Sequence, residues 1–112
     1  MYSKVTEIKE NFFLSKIKDF SLVKVEPKVF TPKASNKYSR VCFYFDALID
    51  SVVDVEIYDF NGNKVRELKG IKNGDGWDGK DETGAIMKSG LYLYKINVDG
   101  KTAGKGTVKL VR

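Results

Sequence analysis

Apolar and polar side chains alternate along most of the chain from residue 21 onward. Residues 40–48, 52–60 and 91–98 each repeat an apolar position at every second residue. A period of two predicts half-buried strands, because successive side chains of a strand point to opposite faces. Residues 21–30 alternate as well, but they include Pro27, which suits only an edge strand or a bulge. None of these stretches repeats with the helical period of 3.6.

Two dipeptides mark turns between the predicted strands. Asn61 and Gly62 directly follow the strand predicted over 52–60. This pair predicts a hairpin with a type I′ turn, in which both central residues have a positive φ. Asp99-Gly100 predicts the turn into a last strand over residues 106–111. About seven short strands separated by such turns predict an all-β fold, an antiparallel immunoglobulin-like β-sandwich.

The single tryptophan lies in a segment rich in glycine, asparagine and aspartate. Trp77 would fill the space between two sheets and use its indole N–H as a hydrogen-bond donor. The aspartates of this segment suit turns in which the carboxylate accepts a bond from the backbone N–H two residues on. Its glycines suit a positive φ. We therefore predict structural roles for Asn61, Gly62, Trp77, Asp78, Gly79, Asp81, Gly84 and Gly90.

The composition excludes several kinds of chemistry. The 112 residues contain no histidine and one cysteine, Cys42. A Ser-His-Asp or Cys-His nucleophile, an imidazole base, a His/Cys zinc site and an internal disulfide are therefore excluded. Cys42 alternates with apolar neighbours, and we expect it to be a buried free thiol. We predict no enzymatic activity, no catalytic residues and no cofactor.

Four polar side chains in the tryptophan segment invite comparison with a calcium loop. Asn73, Asp75, Asp78 and Asp81 all carry oxygen ligands. Counted from Asn73, however, the fifth position is Trp77, and no glutamate closes the loop at the twelfth. The spacing favours turn chemistry, and we predict no metal site.

The net charge of +5 comes entirely from the first 40 residues, which carry nine Lys/Arg and four Asp/Glu. The lysines are dispersed among acidic and apolar residues, which favours a solvated face or an acidic protein neighbour over a nucleic acid. No apolar run approaches the roughly 20 residues that span a bilayer, so we predict no membrane span. The first residues lack the apolar core of a signal peptide, and an export signal would have to precede them.

Residues 1–22 are predicted to form an extended segment or linker before a domain at 23–112. Phe12 and Phe13 are its most apolar cluster. They either pack on their own domain or contact another domain or copy, for example by adding a strand to an open sheet edge. Tyr92 and Tyr94 share one face of a strand that is apolar on both faces, so the buried face stays open. The candidate interaction residues are Phe12, Phe13, Tyr92 and Tyr94.

Four segments in order carry a resemblance to a known family. They are residues 55–68 (VEIYDFNGNKVREL), 76–84 (GWDGKDETG), 89–96 (SGLYLYKI) and 104–112 (GKGTVKLVR). This series resembles the FlgD-type immunoglobulin-like domain, named from the flagellar hook-capping protein. It is also similar to the C-terminal sorting domains used in type IX secretion. The resemblance covers about residues 23–112.

The resemblance implies a non-catalytic structural or accessory module of a bacterial exported or cell-surface protein. Its expected partners are other domains of a parent protein or a secretion or assembly machine, with self-association through the N-terminal segment as a further expectation. Two alternatives stay open. One is a carbohydrate-binding module of a surface hydrolase, with tyrosines stacking on sugars. The other is a domain related to the flagellar hook cap, in which an insertion usually interrupts the domain; this chain has none.

Overall fold

The computed structural model describes residues 20–34, 36, 38–48 and 50–112, and this part of the chain is all β with no helix. Three strands form one sheet in the order β1-β3-β6, and five form the other in the order β2-β8-β7-β4-β5. The predicted immunoglobulin-like β-sandwich is confirmed. The strands are β1 (Ser21–Glu26), β2 (Val29–Phe30), β3 (Val41–Asp46), β4 (Val53–Tyr58), β5 (Lys64–Leu68), β6 (Gly76–Trp77), β7 (Gly90–Val98) and β8 (Lys101–Leu110).

The extended run over 21–30 forms two strands that belong to different sheets. β1 pairs antiparallel with β3, and β2 pairs parallel with β8, so the sandwich includes one parallel pair. Pro27 lies between β1 and β2, where the chain changes sheets. A proline has no N–H to donate to a ladder, so it suits this crossing. Ser21 and Leu22, which fall in the predicted N-terminal segment, belong to β1, and residues 1–19 lie outside the described residues.

The core fills the space between the two sheets. The inner faces predicted for β3 and β4 are confirmed by their alternating burial. Val23 departs from the pattern and is 58% exposed, because the register of β1 shifts between Leu22 and Lys24. Cys42 is half-buried on the outer face of β3, so the expectation of a buried thiol is wrong. The buried residues are Val25, Phe30, Val41, Phe43, Phe45, Val53, Val55, Ile57, Trp77, Tyr92, Tyr94, Ile96, Val98, Val108 and Leu110.

The β4–β5 hairpin forms where Asn61-Gly62 predicts it, but not with a type I′ turn. Gly62 has φ +91°, whereas Asn61 has no positive φ. The Gly62 N–H donates to the Asp59 carbonyl at 3.0 Å, and the Asp59 N–H donates to the Asn63 carbonyl at 2.9 Å. The Asp59 carboxylate also accepts the N–H groups of Asn61 and Asn63, both at 2.9 Å. These bonds stabilise a longer loop with a single left-handed residue.

The β7–β8 hairpin is closed by a two-residue turn at the predicted position, Asp99-Gly100. Asp99 (φ +51°) and Gly100 (φ +85°) both have positive φ and connect Val98 directly to Lys101. A tight turn starts the return strand at once. The last strand therefore begins at Lys101, five residues before the predicted start at Gly106.

Candidate docking surface

Trp77 closes one end of the core. Its side chain is fully buried, and its indole N–H donates to the Lys80 carbonyl at 2.9 Å. Its ring contacts those of Phe30 and Tyr92, with centroids 5.5 and 5.2 Å away. Since Phe30 belongs to β2 and Tyr92 to β7, the tryptophan joins the β1-β3-β6 sheet to the five-stranded sheet.

The segment after Trp77 is held by its own carboxylates. Asp78 Oδ1 accepts the Lys80 N–H at 3.1 Å and a bond from Arg66 at 3.2 Å. Asp81 Oδ1 accepts the Thr83 hydroxyl at 2.7 Å and the Thr83 N–H at 2.9 Å. These bonds, the Thr83 hydroxyl first among them, lower the pKa of Asp81.

The two residues ahead of Trp77 that were compared with calcium ligands also bond to backbone. Asn73 Oδ1 accepts the Phe45 N–H at 2.8 Å, and Asp75 Oδ2 accepts the Lys72 N–H at 2.9 Å. Asp75, Asp78 and Asp81 thus bond to nearby backbone as turn-forming groups. Asn73 instead joins its loop to β3.

The predicted glycines differ in how tightly the fold surrounds them. Gly79 has φ +81°, and a Cβ there would lie 2.6 Å from Cγ of Pro32 and 3.1 Å from Cδ1 of Leu110. Gly84 has φ +92° with open space around it. Gly90 is the first residue of β7. Gly79 is therefore required by both conformation and packing, and Gly84 by conformation alone.

Tyr92 and Tyr94 are core residues, each 4% exposed, which corrects their assignment as interaction residues. The Tyr92 hydroxyl donates to the Lys88 carbonyl at 2.6 Å, and the Tyr94 ring packs edge-on against Phe43 at 5.3 Å. Neither ring has a free face on which a sugar could stack. Phe12 and Phe13, the other two candidates, lie outside the described residues.

Leu91 and Leu93 take the place of these tyrosines on the solvent side of β7. They are 41% and 40% exposed. Leu93 lies opposite Tyr58 of β4 on one side and Thr107 of β8 on the other. Phe60, at the tip of the β4–β5 hairpin, is 75% exposed. We call Tyr58, Phe60, Leu91 and Leu93 the apolar row.

A charged cluster adjoins the apolar row. Glu56 accepts the Tyr58 hydroxyl at 2.8 Å and forms ion pairs with Lys64 and Lys95, both at 3.3 Å. The Tyr58 hydrogen bond, followed by those from the two lysines, lowers the pKa of Glu56 to about 2. The Glu56 carboxylate is therefore ionised at any pH above about 3, and it neutralises part of the lysine charge beside the apolar row.

Two more lysines border the apolar row on β8. Lys105 lies opposite Lys95, and Lys109 lies opposite Leu91. In the described part of the chain, neither Lys105 nor Lys109 has a carboxylate within 4 Å. The outer face of the five-stranded sheet thus combines exposed apolar side chains with unpaired positive charge, a combination found at protein contact surfaces.

The sequence did not reveal which face of β7 is buried, although one signal for it exists. Gly106 lies directly opposite Tyr94, and a Cβ on Gly106 would overlap the tyrosine ring. In this sheet the Tyr94 ring lies over the glycine on the buried face, so the pair marks that face once the register is known. The face that carries Leu91 and Leu93 is then the exposed one.

Comparison with known proteins gives structural neighbours only. No family model and no curated protein matches the chain. PorZ, an essential bacterial surface component of the type-IX secretion system of Porphyromonas gingivalis, superposes on 88% of this chain with a TM-score of 0.56 and 16% identity. Dimeric latent PorU from the same organism superposes on 82% with a TM-score of 0.59 and 21% identity. AlkC of Pseudomonas fluorescens, an alkylpurine DNA glycosylase, reaches a TM-score of only 0.49.

The matched regions are small parts of much longer proteins. The chain spans 12% of PorZ and 9% of PorU. At these identities the similarity establishes the fold alone, and the FlgD-type resemblance stays a prediction. Within the described residues, no helix is long and apolar enough to cross a bilayer.

Proposed function

We propose that the chain is a non-catalytic accessory module of a bacterial exported or cell-surface protein and acts by docking during secretion or assembly. The observation that supports this most is the fold shared with PorZ and PorU, where it occupies about a tenth of each protein. One of those proteins is a surface component of a secretion system. A fold used this way elsewhere raises the expectation for this chain without fixing its role.

The outer face of the five-stranded sheet supports a docking role. The apolar row lies on β4, on β7 and on the hairpin after β4, so its side chains project from a scaffold anchored by the core. Lys105 and Lys109 lie beside it. The proposed partner is another domain of the parent protein or a component of a secretion machine, with apolar and acidic groups on its surface.

A reporter fusion tests the secretion role. The chain is fused behind an exported, folded reporter and expressed in Porphyromonas gingivalis and in a strain without a working type-IX system. We expect the reporter on the cell surface or in the medium only in the first strain. Equal amounts outside both strains, or retention of the reporter in both, would contradict a role in that secretion system.

A matched pair of substitutions tests the surface. Leu93→Ser removes an exposed side chain from the apolar row, and Val23→Ser removes one that is 58% exposed from the opposite sheet. Both variants should keep the thermal midpoint within a few degrees, because exposed positions contribute little to stability. We expect Leu93→Ser alone to reduce reporter export. The same reduction in both variants, or in neither, would show that docking does not use this face.

A further inference from the structure

One side of the five-stranded sheet ends in an edge that the described residues cover only in part. β8 runs from Lys101 to Leu110, but β2 pairs with it only at Lys109 and Leu110. Among the strands of the described chain, none pairs with residues 101–107 on that side. An uncovered strand edge presents a row of backbone donors and acceptors to which another chain can add.

The direction of these backbone groups follows from the hydrogen bonds at the covered end. The Lys109 N–H donates to the Lys28 carbonyl at 2.8 Å, and the Val111 N–H donates to the Phe30 carbonyl at 2.9 Å. The ladder between β7 and β8 is regular from Leu110 back to Gly104. Alternate residues of a strand direct their N–H and C=O groups to the same side.

Lys105 and Thr107 therefore direct their backbone groups away from β7, as Lys109 does. No hydrogen bond joins the backbone of either residue to the rest of the described chain. Their side chains are also exposed, on the outer face of the sheet. Within the described residues, the backbone groups and side chains at these two positions therefore lack a partner and face the place that a strand alongside β8 would occupy.

The charges on this edge select among such strands. Lys105 and Lys109 flank Thr107, and Lys105 faces Lys95 across the ladder. A side chain directly opposite Lys105 on an added strand is favoured if it is acidic and disfavoured if it is basic. A second copy of β8 pairing antiparallel would bring lysine against lysine when centred on Lys105, and Lys105 against Lys109 when centred on Thr107.

We propose that residues 104–107 of β8, the regular part of this edge, accept an extended acidic segment of another protein as an added strand. Backbone hydrogen bonds from Lys105 and Thr107 would hold it, and Lys105 would select carboxylates. This inference rests on the proposed docking function and names the chemistry of the partner. It extends the contact from the apolar row to the adjoining edge of the same sheet.

The test measures binding of a fluorescent peptide of alternating glutamate and valine to the full chain by anisotropy. Thr107→Pro removes the outward N–H without changing charge, and Thr107→Val keeps the N–H. We expect the proline variant to bind the peptide roughly tenfold more weakly, and the valine variant to bind it within twofold of the original chain. Lys105→Glu should weaken binding of the acidic peptide and strengthen binding of a matched peptide of alternating lysine and valine.

A second measurement is independent of how the proline variant folds. Two N-methylated versions of the peptide are used, one methylated at every glutamate amide and the other at every valine amide. Each version has lost the N–H donors of one edge and cannot pair with β8 through that edge. We expect one version to lose binding and the other to retain it. Equal binding of both series, equal binding to the Thr107→Pro and Thr107→Val chains, or no binding of the acidic peptide would overturn the proposal.

Whether β8 pairs instead with a second copy of this chain is measured from the oligomeric state. We expect the chain without peptide to sediment as a monomer. A dimer that forms as concentration rises and is lost in Thr107→Pro would mean that the edge serves self-association, which overturns the choice of partner. If the reporter is exported but the peptide does not bind, strand addition is wrong and the accessory function stands. If the peptide binds but the reporter is not exported, strand addition stands and the accessory function in secretion is wrong.

Discussion

Two glycine-rich segments of this molecule differ in whether their backbone groups are hydrogen-bonded within the described chain. In residues 76–84, glycines allow left-handed backbone and close packing, and the carboxylates bond to nearby backbone groups. In residues 101–107, Gly104 and Gly106 leave room for side chains of the neighbouring elements, and the outer edge of the strand carries no partner in the described chain. The first segment closes the core. The second lies on a sheet edge that, among the described residues, β2 covers only at Lys109 and Leu110.

The difference shows that glycine content alone does not indicate what a segment does. Gly79 lies against Pro32 and Leu110 in the interior, so its missing side chain makes the closure possible. Gly106 lies under the ring of Tyr94 from β7. Because Gly106 has no side chain, this ring can pack directly on its backbone on the core side of the sheet. Pro32 and Leu110 take up the space at Gly79, and the Tyr94 ring takes it up at Gly106. Around Trp77, turn hydrogen bonds also satisfy the local backbone.

Replacing the tryptophan should have the largest effect. Trp77→Ala removes a fully buried ring that contacts Phe30 and Tyr92. We expect a loss of about 3–5 kcal/mol in the free energy of unfolding, because a large cavity opens between the sheets. Urea denaturation followed by circular dichroism measures it. A loss under about 1 kcal/mol would contradict the closing role of this ring.

A pair of glycine substitutions separates packing from conformation in the same segment. Gly79→Ala places a Cβ 2.6 Å from Pro32 in a left-handed residue, whereas Gly84→Ala meets only the left-handed strain. We expect losses of roughly 2–4 kcal/mol at Gly79 and about 1 kcal/mol at Gly84. Equal losses in the two urea transitions would show that packing around Gly79 contributes nothing.

The charged cluster beside the apolar row should make stability depend on acid pH. The pKa of Glu56 is about 2 in the folded chain, below its ordinary value of 4.5. The unfolded state therefore binds more protons between these values, and the stabilisation is present above pH 4.5 and is lost as the pH falls toward 2.

Glu56→Gln measures this contribution. A shift of this size sets an upper bound of about 3 kcal/mol, and partial exposure of both lysine partners reduces it to about 1–2 kcal/mol. The variant should be less stable than the original chain at pH 7, and the two should converge near pH 2. A constant difference across this range would show that the network does not involve the ionised carboxylate.

The smallest effect is expected at the open edge. Thr107→Pro removes an N–H that bonds to nothing in the described chain, so its cost should come mainly from local φ strain and stay under about 1 kcal/mol. Thr107→Val should be neutral within about 0.5 kcal/mol. A loss of 3 kcal/mol or more in the proline variant would indicate that this N–H is bonded in the folded chain.

The sequence predicted what depends on local pattern and missed what depends on neighbouring strands. Alternation identified the inner faces of β3 and β4, and the turn residues located both hairpins. The type of the β4–β5 turn was wrong because Asp59, outside the Asn-Gly pair, bonds the loop from its first residue. The bulge that exposes Val23 has no signal in the alternation itself.

The candidate docking surface was harder to predict for the same reason. Leu91 and Leu93 alternate with two tyrosines of similar apolar character, so only the strand opposite decides which pair is buried. The open edge of β8 depends on sheet order, with β2 pairing only at the end of the strand. Sheet order is not encoded in the alternation of any one segment.

Native-state amide hydrogen exchange along β8, read by nuclear magnetic resonance, tests the contrast between closed core and open edge most directly. The Gly106 and Val108 amides face β7, and the Lys109 amide is bonded to Lys28, so all three should exchange slowly. The Lys105 and Thr107 amides should exchange nearly as fast as those of an unfolded chain. Slow exchange at both would mean that the edge is already covered, and the account of β8 as a docking edge would be contradicted.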